Sequence, residues 1–265
     1  MDDLSRLVEV VSSSAKYRHV DPVLIGQIGE RVLSQERNMK AAVKATKSKL
    51  HQVGAAYFSP KINYERALAE LESAVNDETA YRQTCLKLMG LHASTRERLP
   101  FLDEFYPTIF ADLPPIHSVI DLACGLNPLS IGWMPLAEDV TYYACDIYAD
   151  LTDFLVQFME LEGVIGRAEA RDITISPPTH RADLALILKT IPCIEQIDKT
   201  AGRRLLEEID ARFLLVSFPT RSLGGKNKGM SETYEAHFND LIAGSGWDTK
   251  RYQFASELVF LVEKS

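Results

Sequence analysis

Gly125, Asp146 and Asp172 stand at or just beyond the ends of three short apolar runs, and their types and spacing suit the recognition of an adenosine. The first run, Val119 to Leu122, leads into the small residues Ala123, Cys124 and Gly125. A strand ending in such a turn lets a ligand lie against backbone, since glycine has no Cβ to block it. The second run, Tyr142 to Cys145, ends in Asp146, 21 residues after Gly125 and followed by Ile147. A carboxylate there is placed to accept both ribose hydroxyls. The third run ends in Ala170-Arg171-Asp172-Ile173. Its acid suits the adenine amino group, and Ile173 suits the face of the ring. A dinucleotide would need its pyrophosphate cradled by G-x-G-x-x-G. Only Gly125 is present, with Asn127-Pro128 behind it, so a cofactor without phosphate, S-adenosylmethionine, is the better match. An ordinary strand and turn without a ligand is the competing reading.

The fourth run, Asp183 to Leu188, meets Lys189-Thr190-Ile191-Pro192, and its tip should face the reacting sulfonium and the substrate. Methyltransferases acting on exocyclic amines commonly carry Asn-Pro-Pro-Tyr or Asp-Pro-Pro-Tyr here, and this chain does not. A ring nitrogen such as guanine N7 has a free in-plane lone pair and no proton to lose. Its attack needs alignment and desolvation more than a general base. Lys189 is then either a positioning residue or a solvated lysine at a strand end. The fifth run opens into Ser217 to Met230, a stretch with glycines, hydroxyls and the cations Arg221, Lys226 and Lys228 but no acid. Such a loop can follow a phosphate backbone, and Phe218 is placed to stack on a base.

The elements that must hold these residues divide the chain in two. Residues 1–105 read as helices. Leu4, Leu7, Val8 and Val11 recur at helical spacing, and Asp21-Pro22 opens a second helix with Val23, Ile25, Ile28 and Val32 on one face. Met39, Val43, Thr46 and Leu50 form a stripe beside the cations Arg37, Lys40, Lys44 and Lys47. Ala67–Leu71 and Thr79–Met89 continue the pattern. Residues 106–265 alternate strands with helices. Strands are expected at Ser118–Leu122, Thr141–Cys145, Arg167–Ala170, Ala182–Leu188, Phe213–Ser217, Arg251–Phe254 and Glu257–Val262. Helices are expected at Asp150–Glu162, Lys199–Asp210 and Ser231–Ala243. This is an α/β, Rossmann-like pattern: a seven-stranded, mostly parallel sheet whose last two strands, joined by Ala255-Ser256, pair antiparallel. That ending is typical of S-adenosylmethionine methyltransferases.

Composition narrows the partners. An apolar share of 46% and a charged share of 25% belong to a globular chain and exclude a disordered one. No apolar run reaches membrane-spanning length, and the acidic start at Asp2-Asp3 lacks the basic and apolar regions of a signal peptide. The four cysteines, Cys85, Cys124, Cys145 and Cys193, form no C-x-x-C pair, which argues against zinc and against a disulfide framework and suits the cytoplasm. Cys124 reads as a small buried turn residue rather than a nucleophile. The net charge of −8 hides two local basic stretches. Six cations and no acid lie between Arg37 and Lys61, and three more cations lie between Arg221 and Lys228. Basic surfaces on an acidic body suit RNA rather than DNA or a membrane. Three functions fit these features: an RNA methyltransferase, a small-molecule methyltransferase with a helical lid, and a ribosome-binding protein with a vestigial pocket. A dehydrogenase fits worst.

Three motifs carry a resemblance that spans nearly the whole chain: Leu91-His92-Ala93-Ser94-Thr95-Arg96-Glu97-Arg98-Leu99, the run Asp121 to Pro128, and Ser217 to Gly225. Together with Ser14 to Arg18, Lys49 to His51 and Gly54 to Tyr57, they resemble the 16S ribosomal RNA guanine-N7 methyltransferases that confer aminoglycoside resistance. The resemblance implies methylation of the guanine at nucleotide 1405 in the assembled 30S subunit. It implies that Arg98, with Arg96, pairs with the methionine carboxylate of the cofactor, whose pocket would further include Ala123, Cys124, Gly125, Asp146, Ile147, Asp172, Ile173 and Leu188. It also implies that the N-terminal helices dock on the decoding region of 16S rRNA through Lys16, Arg18, Lys40, Lys44, Lys47 and Lys49.

Overall fold

The computed structural model describes residues 2–51, 62–220 and 230–264. Its first three helices are α1 (Asp3–Ser12), α2 (Pro22–Leu33) and α3 (Met39–Leu50). Asp2, Asp21 and Asn38 cap them, each side chain accepting a backbone N–H of the first turn. The apolar faces read from the sequence meet one another except at Val23, which is exposed while its neighbour Leu24 turns inward. Leu7, Val11, Leu24, Ile25, Ile28 and Leu50 form a core of their own. The lysines of α3 are left outside: Lys40, Lys44 and Lys49 are exposed and Lys47 is half-buried.

Four further helices follow, α4 (Tyr64–Ala74), α5 (Glu78–Met89), α6 (Ala93–Arg98) and α7 (Leu102–Phe110). They do not join that core. Leu71, Met89, Phe105 and Ile109 pack with Val119, Leu129 and Phe158 in the main core against the sheet. The expected boundary at 105/106 therefore falls inside α7. Hydrophobic spacing reports that a segment is helical but not which neighbour its apolar face will cover, and here that face belongs to the sheet.

The strands are β1 (Ser118–Leu122), β2 (Thr141–Asp146), β3 (Ile165–Ala170), β4 (Ala182–Leu188), β5 (Ala211–Pro219), β6 (Asp248–Gln253) and β7 (Glu257–Glu263). They form one sheet in the order β3-β2-β1-β4-β5-β7-β6. All pairs are parallel except those made by β7, which runs antiparallel to β5 and β6. The helices α8 (Ala149–Leu161), α9 (Ile191–Ile194), α10 (Ala201–Glu208) and α11 (Met230–Ile242) complete the two outer layers. The chain order reverses between β1 and β4, and a crevice opens beyond their carboxyl ends. The residues that leave these two strands there, Ala123 (φ 51°) and Lys189 (φ 58°), both adopt the left-handed conformation that non-glycine residues seldom take. Such strain clusters where a fold must expose backbone for a purpose.

Candidate active site

Asp146 anchors the crevice. Its Oδ2 accepts the Gly125 N–H at 2.9 Å and its Oδ1 accepts the Ile147 N–H at 2.7 Å. The end of β2 is thereby fastened to the turn after β1. Burial raises the Asp146 pKa and the backbone donors partly offset this. Three backbone donors, from Gly125, Ile147 and Tyr148, leave the carboxylate with capacity for a further donor. Gly125 does not serve as expected. It is left-handed (φ 52°), and a Cβ there would lie 2.8 Å from the imidazole of His92. The space a side chain would need is thus occupied by the protein itself, and His92 rather than Gly125 faces the cavity.

Asp172 supplies the second carboxylate. Its Oδ1 accepts the Thr174 N–H at 2.9 Å and the Thr174 hydroxyl at 2.7 Å. Its Oδ2 is buried and has no hydrogen-bond partner among the described residues. Burial raises the pKa of this group, with Thr174 acting against it. A buried acceptor left without a donor is costly unless a ligand provides one.

Between the two carboxylates lies a cavity of about 770 Å³, including its open mouth. Ala123, Cys124, Ile147, Ile173, Leu188 and Lys189, all expected at the site, line it. So do residues that sequence reasoning missed: Leu24 of α2, Ser94, Tyr148, Thr190, Ile194 and Ile197. Nothing in the spacing of Leu24 marks it apart from a core leucine of its helix. His92 and Ser94 lie in a motif quoted above but carry no signal of a pocket role. Two acceptors on an otherwise largely apolar wall fit an adenosine group, whose ribose hydroxyls and amino group are donors. Burial, reinforced by the nearby Lys189, lowers the His92 pKa to about 3, so this wall presents a neutral imidazole.

Lys189 is 5% exposed, which rules out a solvated strand-end lysine. Its N–H donates to the Ser217 carbonyl at 3.0 Å. Its Nζ donates to Glu97 Oε2 at 2.8 Å and to the Ser94 carbonyl at 3.2 Å, and lies 3.6 Å from Glu257. Cys124 is buried and its thiol pKa is pushed up by that burial, so it offers no thiolate nucleophile.

Two expected residues lie away from the cavity wall. Arg98 is fully buried and is not among the residues that line it. Its Nε and Nη2 donate to Glu257 at 3.1 and 2.7 Å, its Nη1 donates to Asn127 at 2.7 Å, and it packs over the Phe105 ring. In this structure the guanidinium is bonded to protein partners behind the pocket. Phe218 is also fully buried, because β5 continues past Ser217 to Pro219. Its ring stacks on Tyr234 at 5.1 Å and packs against Phe238 and Phe260, so it cannot stack on a base. Arg221, Lys226 and Lys228 lie outside the described residues.

The expected RNA-facing residues gather on the small helical body. Lys16 and Arg18 are exposed on the segment between α1 and α2, and the Tyr17 hydroxyl between them donates to the Lys47 carbonyl at 2.9 Å. Among the described residues no acid forms an ion pair with Lys40, Lys44, Lys47 or Lys49.

Comparison with known proteins agrees with this geometry. The family model described as "Ribosomal RNA methyltransferase (FmrO)" matches residues 13–261. The chain is 39% identical over 266 residues to the 16S rRNA (guanine(1405)-N(7))-methyltransferase of Frankia casuarinae, covering 98% of this chain and 94% of that protein. It is 34% identical over 267 residues to the enzyme of the same name from Micromonospora rosea, covering 99% and 97%. Among solved structures it is similar to the 16S rRNA methyltransferase RmtF in complex with S-adenosyl-L-homocysteine, at a TM-score of 0.87 and 31% identity over the whole of both chains. The 16S rRNA methylase RmtB aligns at a TM-score of 0.81 and 26% identity, over 99% of this chain and 98% of that one. With matched relatives along nearly its full length and a pocket built for an adenosine, the chain belongs to the FmrO family of ribosomal RNA methyltransferases.

Proposed function

We propose that this enzyme methylates N7 of the guanine at nucleotide 1405 of 16S rRNA, within the assembled 30S subunit, and so confers aminoglycoside resistance. The observation that carries the reading is the buried pair Asp146 and Asp172 at the carboxyl ends of β2 and β3, beside the switch-point crevice, with one Asp172 oxygen awaiting a donor. The names of the relatives support the target.

When bound, S-adenosylmethionine supplies an electrophilic methyl group on a sulfonium. Asp146 would hold the ribose hydroxyls and Asp172 the adenine amino group, with Ile147 and Ile173 supplying apolar wall. Guanine N7 brings its own lone pair and loses no proton, so the task of the protein is to align the base and exclude water. Lys189 is proposed as a positioning residue. Its ammonium is tethered by Glu97 and the Ser94 carbonyl, and its strained backbone shapes the tip of β4. The edge bearing N7 lies in the deep groove of A-form RNA, so the base must be drawn out at a cost of a few kcal/mol. Phosphate contacts through Lys16, Arg18, Lys40, Lys44, Lys47 and Lys49 would offset this. A methylated N7 carries a fixed positive charge, which repels a cationic drug.

The decisive experiment incubates the protein with radiolabelled S-adenosylmethionine and purified 30S subunits, then maps the modified nucleotide. Label at N7 of nucleotide 1405 supports the proposal. Label on another atom, or only on small molecules, defeats it.

A further inference from the structure

The small helical body meets the sheet along the rim of the cofactor cavity. Val20 bridges Tyr148 in a single antiparallel step. The Asp21 N–H donates to the Ile147 carbonyl at 2.8 Å, and the Ala149 N–H donates to the His19 carbonyl at 2.9 Å. Arg31 donates to the Ile197 carbonyl, and His19 pairs with Asp150. Ile147 and Ile197 pack against the α1–α3 core and also line the cavity. Leu24, 1% exposed, is a member of that core and reaches the cavity from the other side.

Ile147 is therefore held on both sides. Its N–H donates to the Asp146 carboxylate, and its carbonyl accepts the N–H of Asp21, the residue that caps α2. A shift of α2 by one rotamer's width would move both the apolar wall at Leu24 and the backbone beside the ribose carboxylate.

We infer that Leu24 is a cofactor-binding residue contributed by the RNA-facing helices, so that the adenosine subsite is complete only when those helices are seated, and cofactor and 30S subunit each tighten the binding of the other. The mutual effect rests on the 30S reading above; the Leu24 contact does not. Any such coupling must be reciprocal, because both ligands favour the same seated arrangement.

The test uses the full chain and S-adenosyl-L-homocysteine as the probe. In calorimetry, Leu24→Ala should bind it about 5- to 10-fold more weakly, the expected result of removing a buried apolar contact. A circular dichroism melt identifies a variant that is still folded at the temperature of measurement. The unmodified protein, which raises no question of folding, should bind 30S subunits at least about threefold more tightly when saturated with S-adenosyl-L-homocysteine, a coupling of the usual size. Unchanged affinity in folded Leu24→Ala, or the same 30S affinity with and without the probe, overturns the inference. Asp146→Ala separates the cases. If that variant keeps normal affinity, the pocket assignment itself is wrong. If it loses affinity while Leu24→Ala does not, only the inference falls. A protein that binds no 30S subunits refutes the proposed function and leaves the calorimetry to judge Leu24.

Discussion

Arg98 and Glu257 stand 159 residues apart in sequence and meet in a double hydrogen bond with neither side chain exposed to solvent. Burial alone would raise the Glu257 pKa, but Arg98 and Lys189 outweigh it and hold the carboxyl below its usual range. The Ser217 hydroxyl also donates to Glu257, at 2.6 Å. Through Asn127 the chain of contacts continues to Asp121 and Tyr142, so one polar network runs beneath the turn that carries Ala123 and Cys124.

Breaking that pair should be expensive. Glu257→Gln leaves a buried guanidinium without its counter-charge, and the expected loss is about 3–5 kcal/mol of folding stability. Urea denaturation reads this as a lower midpoint. If Glu257→Gln and Arg98→Met are then combined, the total loss should be smaller than the sum of the two. Simple additivity would mean that the two groups do not depend on each other.

Asp146→Ala should abolish cofactor binding while leaving association with 30S subunits largely intact. Calorimetry and co-sedimentation measure the two quantities separately. Normal cofactor affinity in the variant would remove Asp146 from the pocket. Asp172→Ala, which deletes the oxygen lacking a partner, should weaken cofactor binding on the same assay by at least about tenfold, the worth of a hydrogen bond to a charged group.

Replacing Lys40, Lys44 and Lys47 together by glutamine should weaken 30S binding and flatten its dependence on salt. Each lost phosphate contact lowers the slope of log affinity against log salt by about 0.7–0.9, so a total change of about 2–3 is expected. An unaltered slope would show that these lysines face water rather than RNA.

The imidazole of His92 gives a pH signature. Unfolded, it takes up a proton near the ordinary 6.5; folded, burial delays this to about 3. Its contribution to stability is therefore complete above pH 6.5 and declines as pH falls toward 3. Between pH 6.5 and 5 the decline should be about 2 kcal/mol. His92→Gln cannot titrate and should lose less stability over that interval. Asp121, whose pKa burial raises to about 6, works in the opposite direction but in both proteins, so the difference between them isolates His92. Parallel stability–pH curves would count against a neutral buried ring.

Much of this architecture could be read from residue types. The central strands announced themselves as short apolar runs, and β1, β2, β4 and β7 lie where those runs placed them to within a residue, whereas the polar, exposed edge strand β6 begins three residues before its expected start. The carboxylates Asp146 and Asp172 were legible because each closes such a run. The pairing of Arg98 with Glu257 was not legible, because Glu257 lies on β7 and no local pattern links residues that far apart. Phe218 was misread because two further residues of β5, paired with Leu258 and Glu257, turn an expected loop into buried strand. Leu24 was invisible for a related reason. A leucine at helical spacing looks the same whether it faces another helix or a cofactor.

The position of β7 bears on how the protein is made. It follows β6 in the chain, yet it lies inside the sheet between β5 and β6, and it delivers Glu257 beneath the cavity. Until β7 is inserted the sheet stays open between β5 and β6 and Arg98 has no counter-charge in the interior, so the floor of the cavity is completed by a late, long-range pairing rather than by the local units that carry Asp146 and Asp172.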